Sequence, residues 1–175
     1  EYAFYVWAER HGYKCKPGSE KTYDLGERFG IDDEEKNLLC KTFNESAAIG
    51  FLPPLRDAMY YMDLLHRKHG YVFHAITSLS TDHQAQELRT QNLKKLFGDT
   101  MFEKFIYLGT GAPKDEALAA YEGKGYTWIE DLTVNARVGA KYGLDSILVE
   151  HSHNMNNTEF PTFKTWSEIY DYIVG

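Results

Sequence analysis

The residues best suited to chemistry lie in Trp128-Ile129-Glu130-Asp131-Leu132-Thr133-Val134-Asn135. Two adjacent carboxylates end an apolar stretch, and a carboxamide follows one turn later. Adjacent acids at a strand end repel each other unless a cation or a donor neutralises them. Magnesium suits such a place, because it takes oxygen ligands and keeps coordination positions for water and phosphate. Glu130, Asp131 and Asn135 are therefore candidate metal ligands. The plainer alternative has Asp131 or Thr133 capping a helix with Glu130 in solvent. In an alternating α/β chain the metal reading is preferred.

Two further groups are weaker alone. Ile76-Thr77-Ser78 places a hydroxyl pair at the end of an apolar run, where hydroxyls and loop amides could hold a phosphate oxygen. Capping of the strand or the next helix explains the same residues. Gly109-Thr110-Gly111-Ala112-Pro113-Lys114 is a turn that leads into a lysine at the start of a helical pattern. An ammonium and a helix start both favour an anion. The spacing is not that of a Walker A loop, and a solvated lysine is the ordinary reading. His151-Ser152-His153-Asn154 holds two histidines one residue apart, with no third strong ligand nearby in sequence. It reads as a solvated loop unless it borders a cleft.

The elements that must position these groups are legible from periodicity. Residues 2–12, 23–29 and 33–43 read as helices, the second closed by Gly30. From Pro53-Pro54 onward helices and strands alternate. Helical spacing over Leu55, Ala58, Met59, Met62 and Leu65 ends at Gly70. A strand at 71–76, a helix at 82–97, a strand at 105–108 and a helix at 114–121 follow. A strand at 126–129, a helix at 132–142, a strand at 146–149 and a last helix at 166–173 complete the order. Such alternation predicts a Rossmann-like parallel sheet with helices on both faces, because each crossover returns over the sheet with one hand. Functional groups in such folds collect at the carboxyl ends of the strands. All the candidate groups named above sit there.

Composition sets outer bounds. The chain has 175 residues, a formal net charge of -7, 43% hydrophobic and 15% aromatic residues. It can build a core, and its acidic balance argues against duplex nucleic acid as a partner. A small phosphorylated substrate stays compatible, since local cations reverse the field in a cleft. Arg89, Lys94 and Lys95 read as the solvated face of a helix. Cys15 and Cys40 are expected as reduced thiols in a cytoplasmic protein, with no zinc spacing. No apolar run is long enough to span a membrane, and a monomer or homodimer is expected. The opening residues, Tyr2 to Trp7, already read as the inside of a helix, which suggests a longer parent chain.

The order of these parts resembles the haloacid dehalogenase superfamily of phosphatases. A strand ending in Thr77, a lysine opening a helix at Lys114, and a strand ending in Glu130-Asp131 follow the layout of its second, third and fourth motifs. Pro53-Pro54-Leu55-Arg56-Asp57-Ala58 is similar to the proline turn that leads into its threonine strand. Ser146 to Asn154 resembles the end of the 5'(3')-deoxyribonucleotidase branch, where a strand runs into a His-Asn pair. The resemblance covers about residues 1–155. It implies an HAD-like α/β core over 53–175 and a small helical cap over 1–52, inserted after the first motif.

The roles implied are these. Thr77, helped by Ser78, binds the transferring phosphoryl group. Lys114 neutralises charge on phosphate and nucleophile. Asp131 ligates Mg2+, and Glu130 and Asn135 stand where related chains carry further acids. Phe4, Tyr5, Trp7 and Tyr23 of the cap are candidates for contacting a base, although packing within the cap explains them as well. The family's first motif, DxDx[TV], which supplies the aspartyl nucleophile, is absent, and Asp32-Asp33 does not sit on an apolar strand. A nucleophile-bearing strand ahead of Glu1 is therefore expected. The implied activity is magnesium-dependent hydrolysis of nucleoside (deoxy)monophosphates through an aspartyl-phosphate. The alternatives are a binding or regulatory protein that has lost catalysis, or a phosphatase for another small metabolite.

Overall fold

The computed structural model describes residues 2–19 and 22–175; Glu1, Glu20 and Lys21 lie outside the described residues. Four short helical elements come first: α1 (Tyr2–Arg10), α2 (Leu25–Phe29), α3 (Asp33–Asn44) and a 3-10 turn (Ala47–Phe51). Capping carboxylates start α2 and α3. Asp24 accepts from the Glu27 amide, and Asp32 from the Glu35 amide, each at 2.9 Å. The alternating part follows as α4 (Ala58–His69), β1 (Phe73–Ser78), α5 (His83–Phe97), β2 (Phe102–Leu108), α6 (Asp115–Ala119), β3 (Thr127–Glu130), α7 (Thr133–Lys141), β4 (Asp145–Val149), β5 (Thr162–Phe163) and α8 (Trp166–Val174).

The protein is an α/β structure in which every strand pair is parallel. One expectation is corrected here. The alternation predicts a single sheet, whereas the described residues form two: β1-β2, and β3-β4-β5. β1 pairs only with β2, and β3 pairs only with β4, so one edge of each strand is left without a strand partner among the described residues. Hydrophobic patterning reports which side chains face helices. It does not report whether a backbone edge finds a neighbour.

Helix layers nevertheless treat the two sheets as one surface. On one face Leu118, Tyr121 and Leu144 pack against Ile76 of β1, Ile106 of β2 and Trp128 of β3. On the other, Ala58 and Met62 of α4 meet Phe73 and Phe102, while Ile169 of α8 meets Ile129, Ile147 and Val149. Trp166 belongs to both of these latter clusters. α7 approaches closely because residue 139 is glycine: a β-carbon there would overlap Trp128 and Ser146.

Element boundaries shift by small amounts. β1 begins two residues later than the apolar run suggests, because Gly70 adopts φ 75° to end α4 and the exposed Tyr71 and Val72 complete that turn. β5 is absent from the sequence reading. Two residues are too few for periodicity, and the strand exists only because the Leu148 and Glu150 amides donate to the Pro161 and Phe163 carbonyls, each at 2.8 Å.

Residues 2–52 sit over the carboxyl end of β1. Phe43 and Ile49 share a cluster with Leu79 and Ala85, and Phe4 and Trp7 pack on it. Asn44 donates to the Leu79 carbonyl at 2.8 Å, and Ser80 donates to Glu45 at 2.7 Å. The turn after β1 is thereby tied to the helical region.

Candidate active site

Thr77, Lys114, Glu130 and Asp131 line one cleft, together with His151. Each comes from a different connection, and all stand at the carboxyl ends of strands. β1 delivers Thr77, the β2-α6 connection delivers Lys114, β3 delivers the acidic pair, and the loop after β4 delivers the histidine. Parallel strands put these ends at one rim, which is why residues more than fifty positions apart meet there.

The Thr77 hydroxyl has no hydrogen-bond partner among the described residues, which leaves it available to a ligand. Ser78 is committed: its hydroxyl donates to the Ala112 carbonyl at 2.7 Å. That bond holds the glycine-rich turn before Lys114 against β1. Thr110 does the same from its side, donating to Leu79 O at 2.6 Å.

Lys114 points inward. Its ammonium forms an ion pair with Glu130, and the two side chains are 12% and 5% exposed. Burial of both charges is tolerated because each is paired and further bonded. Glu130 Oε1 also accepts from Asn135 Nδ2 at 3.2 Å, while Oε2 accepts from the Asp131 and Leu132 amides at 3.1 and 3.4 Å. The lysine ammonium lies 5.3 Å from the Trp128 ring centre.

Among the three acid-pair candidates, only Asp131 keeps its carboxylate open. Its side chain is 39% exposed, and its nearest cation is His153 Nε2 at 3.9 Å. Glu130 is turned to the lysine and backbone amides, and Asn135 spends its amide on Glu130. Asn135 is also tied through its carbonyl, which accepts from Trp128 Nε1 at 3.1 Å. A magnesium ion accepts one or two carboxylates alongside phosphate and water. The chain's own residues thus fit one share of such a site, through Asp131. No group of three or more His, Cys, Asp or Glu side chains suited to a metal occurs among the described residues.

The loop after β4 has a role that the sequence reading left unassigned. Asn154, 4% exposed, donates to the Asp131 carbonyl and to the Val149 carbonyl, both at 2.8 Å. Its own oxygen accepts from the His151 amide at 2.8 Å. His153 Nε2 lies 3.0 Å from the same Asp131 carbonyl. The His-Asn pair therefore fixes the backbone on which the open carboxylate stands. A buried asparagine two residues past a surface-like histidine is the signal, and only burial distinguishes it from a solvated loop.

The aromatic candidates separate. Phe4 is packed edge-on to Phe43 at 5.1 Å, and Trp7 lies 5.3 Å from Phe43 and stacks on His11 at 4.0 Å. Tyr5 carries the Arg28 guanidinium over its ring at 3.6 Å. These three build the helical region. Tyr23 alone reaches the site loop, with its ring 4.4 Å from that of His153.

At the opposite end of the cleft, His74 bridges Tyr121 and Glu103, with Nδ1 2.7 Å from the phenol oxygen and Nε2 3.1 Å from the carboxylate. Burial, followed by the charge of Glu103, raises the Tyr121 pKa. Arg89 does not join Lys94 and Lys95 in a basic groove. It turns inward to Asn92, and burial lowers its pKa, while both lysines stay exposed.

No protein-family model matches this chain, and no curated protein matches it significantly. Among the described residues no helix is long and apolar enough to cross a membrane.

Proposed function

We propose that this chain carries most of a magnesium-dependent phosphate monoester hydrolase of the haloacid dehalogenase type, acting on small substrates of the nucleoside (deoxy)monophosphate class. The observation that carries the reading is the convergence of a free hydroxyl, a buried ammonium and an open carboxylate on one cleft: Thr77, Lys114 and Asp131. Hydroxyl and ammonium donors suit the equatorial oxygens of a transferring phosphoryl group, where charge builds in the transition state. Lys114 is held for that task by Glu130. Asp131 is held by Asn154 and His153, and its carboxylate would ligate the metal. A bound magnesium ion would supply charge neutralisation and orient the phosphate.

An aspartyl nucleophile fits this reading and would come from outside the present sequence. Tyr23, leaning on the His153 ring, is the residue of the helical region best placed to meet a base. Residues 2–52 over the strand ends suit a cap that selects substrate.

The test uses the protein with its upstream segment, with p-nitrophenyl phosphate and then nucleoside monophosphates as substrates. Asp131→Asn is expected to abolish magnesium-dependent turnover, and undiminished turnover would remove Asp131 from the metal site.

A second reading, a phosphate-binding protein without hydrolysis, is favoured by one observation: both oxygens of Glu130 are already engaged, so a single carboxylate is left open. Phosphate binding that depends on Thr77 and Lys114, with no turnover at any magnesium concentration, would select it.

A further inference from the structure

We propose that the gap between β1 and β3 receives one extended segment of polypeptide. It runs parallel to both strands, is continuous with the amino end of α1 (the residues ahead of Glu1), and unites the two sheets in the order β2-β1-segment-β3-β4-β5. The proposal stands on packing alone and does not depend on the phosphatase reading.

β1 and β3 each present one backbone edge without a strand partner, and the two edges border the same cleft. Parallel strands are normally covered on both sides, and a buried edge needs its amides and carbonyls satisfied. β1 is apolar enough for a central strand, yet every one of its residues is partly exposed. The gap is not a splaying of two independent units. Leu118 and Tyr121 pack across Ile76 and Trp128 on one face, and Trp166 is shared by the clusters of both sheets on the other. Those bridges hold the sheets at a separation that leaves room for a missing neighbour. With strands about 4.8 Å apart, two strands flanking a vacant position lie about 10 Å apart.

The cavity itself has a volume of about 940 Å3. That is at the upper end of small-molecule pockets. It is also lined along nearly the whole length of both strands, over 73–77 and 127–131. A phosphate ester held at the Thr77 rim would leave the far part, beside Phe73, Ile129 and Trp166, unfilled. A strand of four to six residues, matching the lengths of β3 and β1, spans it. Another folded copy of the chain could not enter, because a sheet edge brings its helices with it.

Direction and attachment follow from α1. Phe4 packs on the cluster that contains Leu79, the residue just past the carboxyl end of β1. A segment parallel to β1 leaves the gap at this same end and can enter α1 after a short turn.

Amide hydrogen exchange on the chain with three extensions tests this. The first adds a valine- and isoleucine-rich six-residue strand and a short Gly-Ser turn ahead of Glu1. The second has proline at the third and fifth strand positions, which removes ladder donors. The third places the apolar strand behind Gly175. The first extension is expected to slow exchange in both β1 and β3 by about tenfold or more relative to the second and third. Equal exchange in all three chains would overturn the proposal, as would equal protection by all three, which marks non-specific apolar contact. If the unextended chain proves too unstable to serve as a reference, the comparison among extended chains still decides. Because the readout is exchange and not turnover, its failure leaves the roles of Thr77, Lys114 and Asp131 to their own test.

Discussion

β1 and β4 are both short apolar strands in parallel pairings, yet they live in different surroundings. β4 lies between β3 and β5, and its last four residues, Ser146 to Val149, are buried. β1 has a strand on one side only and is partly exposed from end to end. The carboxyl ends differ in the same sense. Beside β4, Glu130 gathers a lysine, an asparagine and two backbone amides, and Asn154 ties the next loop to it. At the end of β1, Ser78 makes a single hydrogen bond to a neighbouring turn and Thr77 makes none. Burial of a strand is thus set by its neighbours more than by its own hydropathy. The half of the molecule that is complete is rigidly bonded, and the half that ends at the open edge keeps a free hydroxyl.

The largest expected difference lies between those two strand ends. Glu130→Ala strands the buried Lys114 ammonium, and breaking a buried pair in this way costs about 3–5 kcal/mol. Ser78→Ala removes one hydrogen bond, for about 0.5–1.5 kcal/mol. Urea unfolding of both variants checks the contrast, and similar losses would contradict it. Next come the strand interiors. Ile147→Ala, at a fully buried position, is expected to cost about 2–5 kcal/mol, with Ile76→Ala at the low end of that range or below because its site is partly exposed. Equal midpoint shifts would show that β1 is as enclosed as β4.

Asp57 sharpens the comparison on a smaller scale. It stands before α4, yet its two oxygens accept from the Trp166 and Ser167 amides at 3.0 and 3.1 Å, capping α8 and linking the helices behind the two sheets. Asp57→Ala is expected to cost about 1 kcal/mol, as cap losses do, and a loss below a few tenths would show that α8 docks without this cap.

The smallest effect lies away from the sheets, in the helical region. The Glu27 amide, and then Lys36, hold the Asp24 carboxyl below its ordinary pKa. A depressed folded pKa contributes stability above the unfolded value of about 3.9, and that contribution fades as pH falls through the lower folded value. The Glu27 amide resonance should therefore shift below about pH 4, and Asp24→Asn should remove the titration.

The types and order of the elements were readable because periodicity and punctuation are local. Gly30 and Gly70 end helices, Asp24, Asp32 and Asp82 cap them, and apolar runs mark β1 to β4. The carboxyl-end rule then drew attention to Thr77, Lys114 and Asp131, which line one cleft. The work of Glu130, Asn135 and Asn154 was not readable. A carboxylate and two carboxamides have the same local signature whether they face solvent, a metal or a buried partner.

By itself, then, the sequence determined which segments are helix or strand, and which strand ends carry groups able to bind phosphate or a cation. Tertiary structure alone decided that Glu130 faces Lys114 while Asp131 stays open, and that Asn154 anchors Asp131. It alone decided that β1 and β3 stand apart with a cleft between them. The physical reason is that hydropathy patterns record the environment of side chains, while strand neighbours and hydrogen-bond partners depend on backbone edges and distant atoms brought together only by packing.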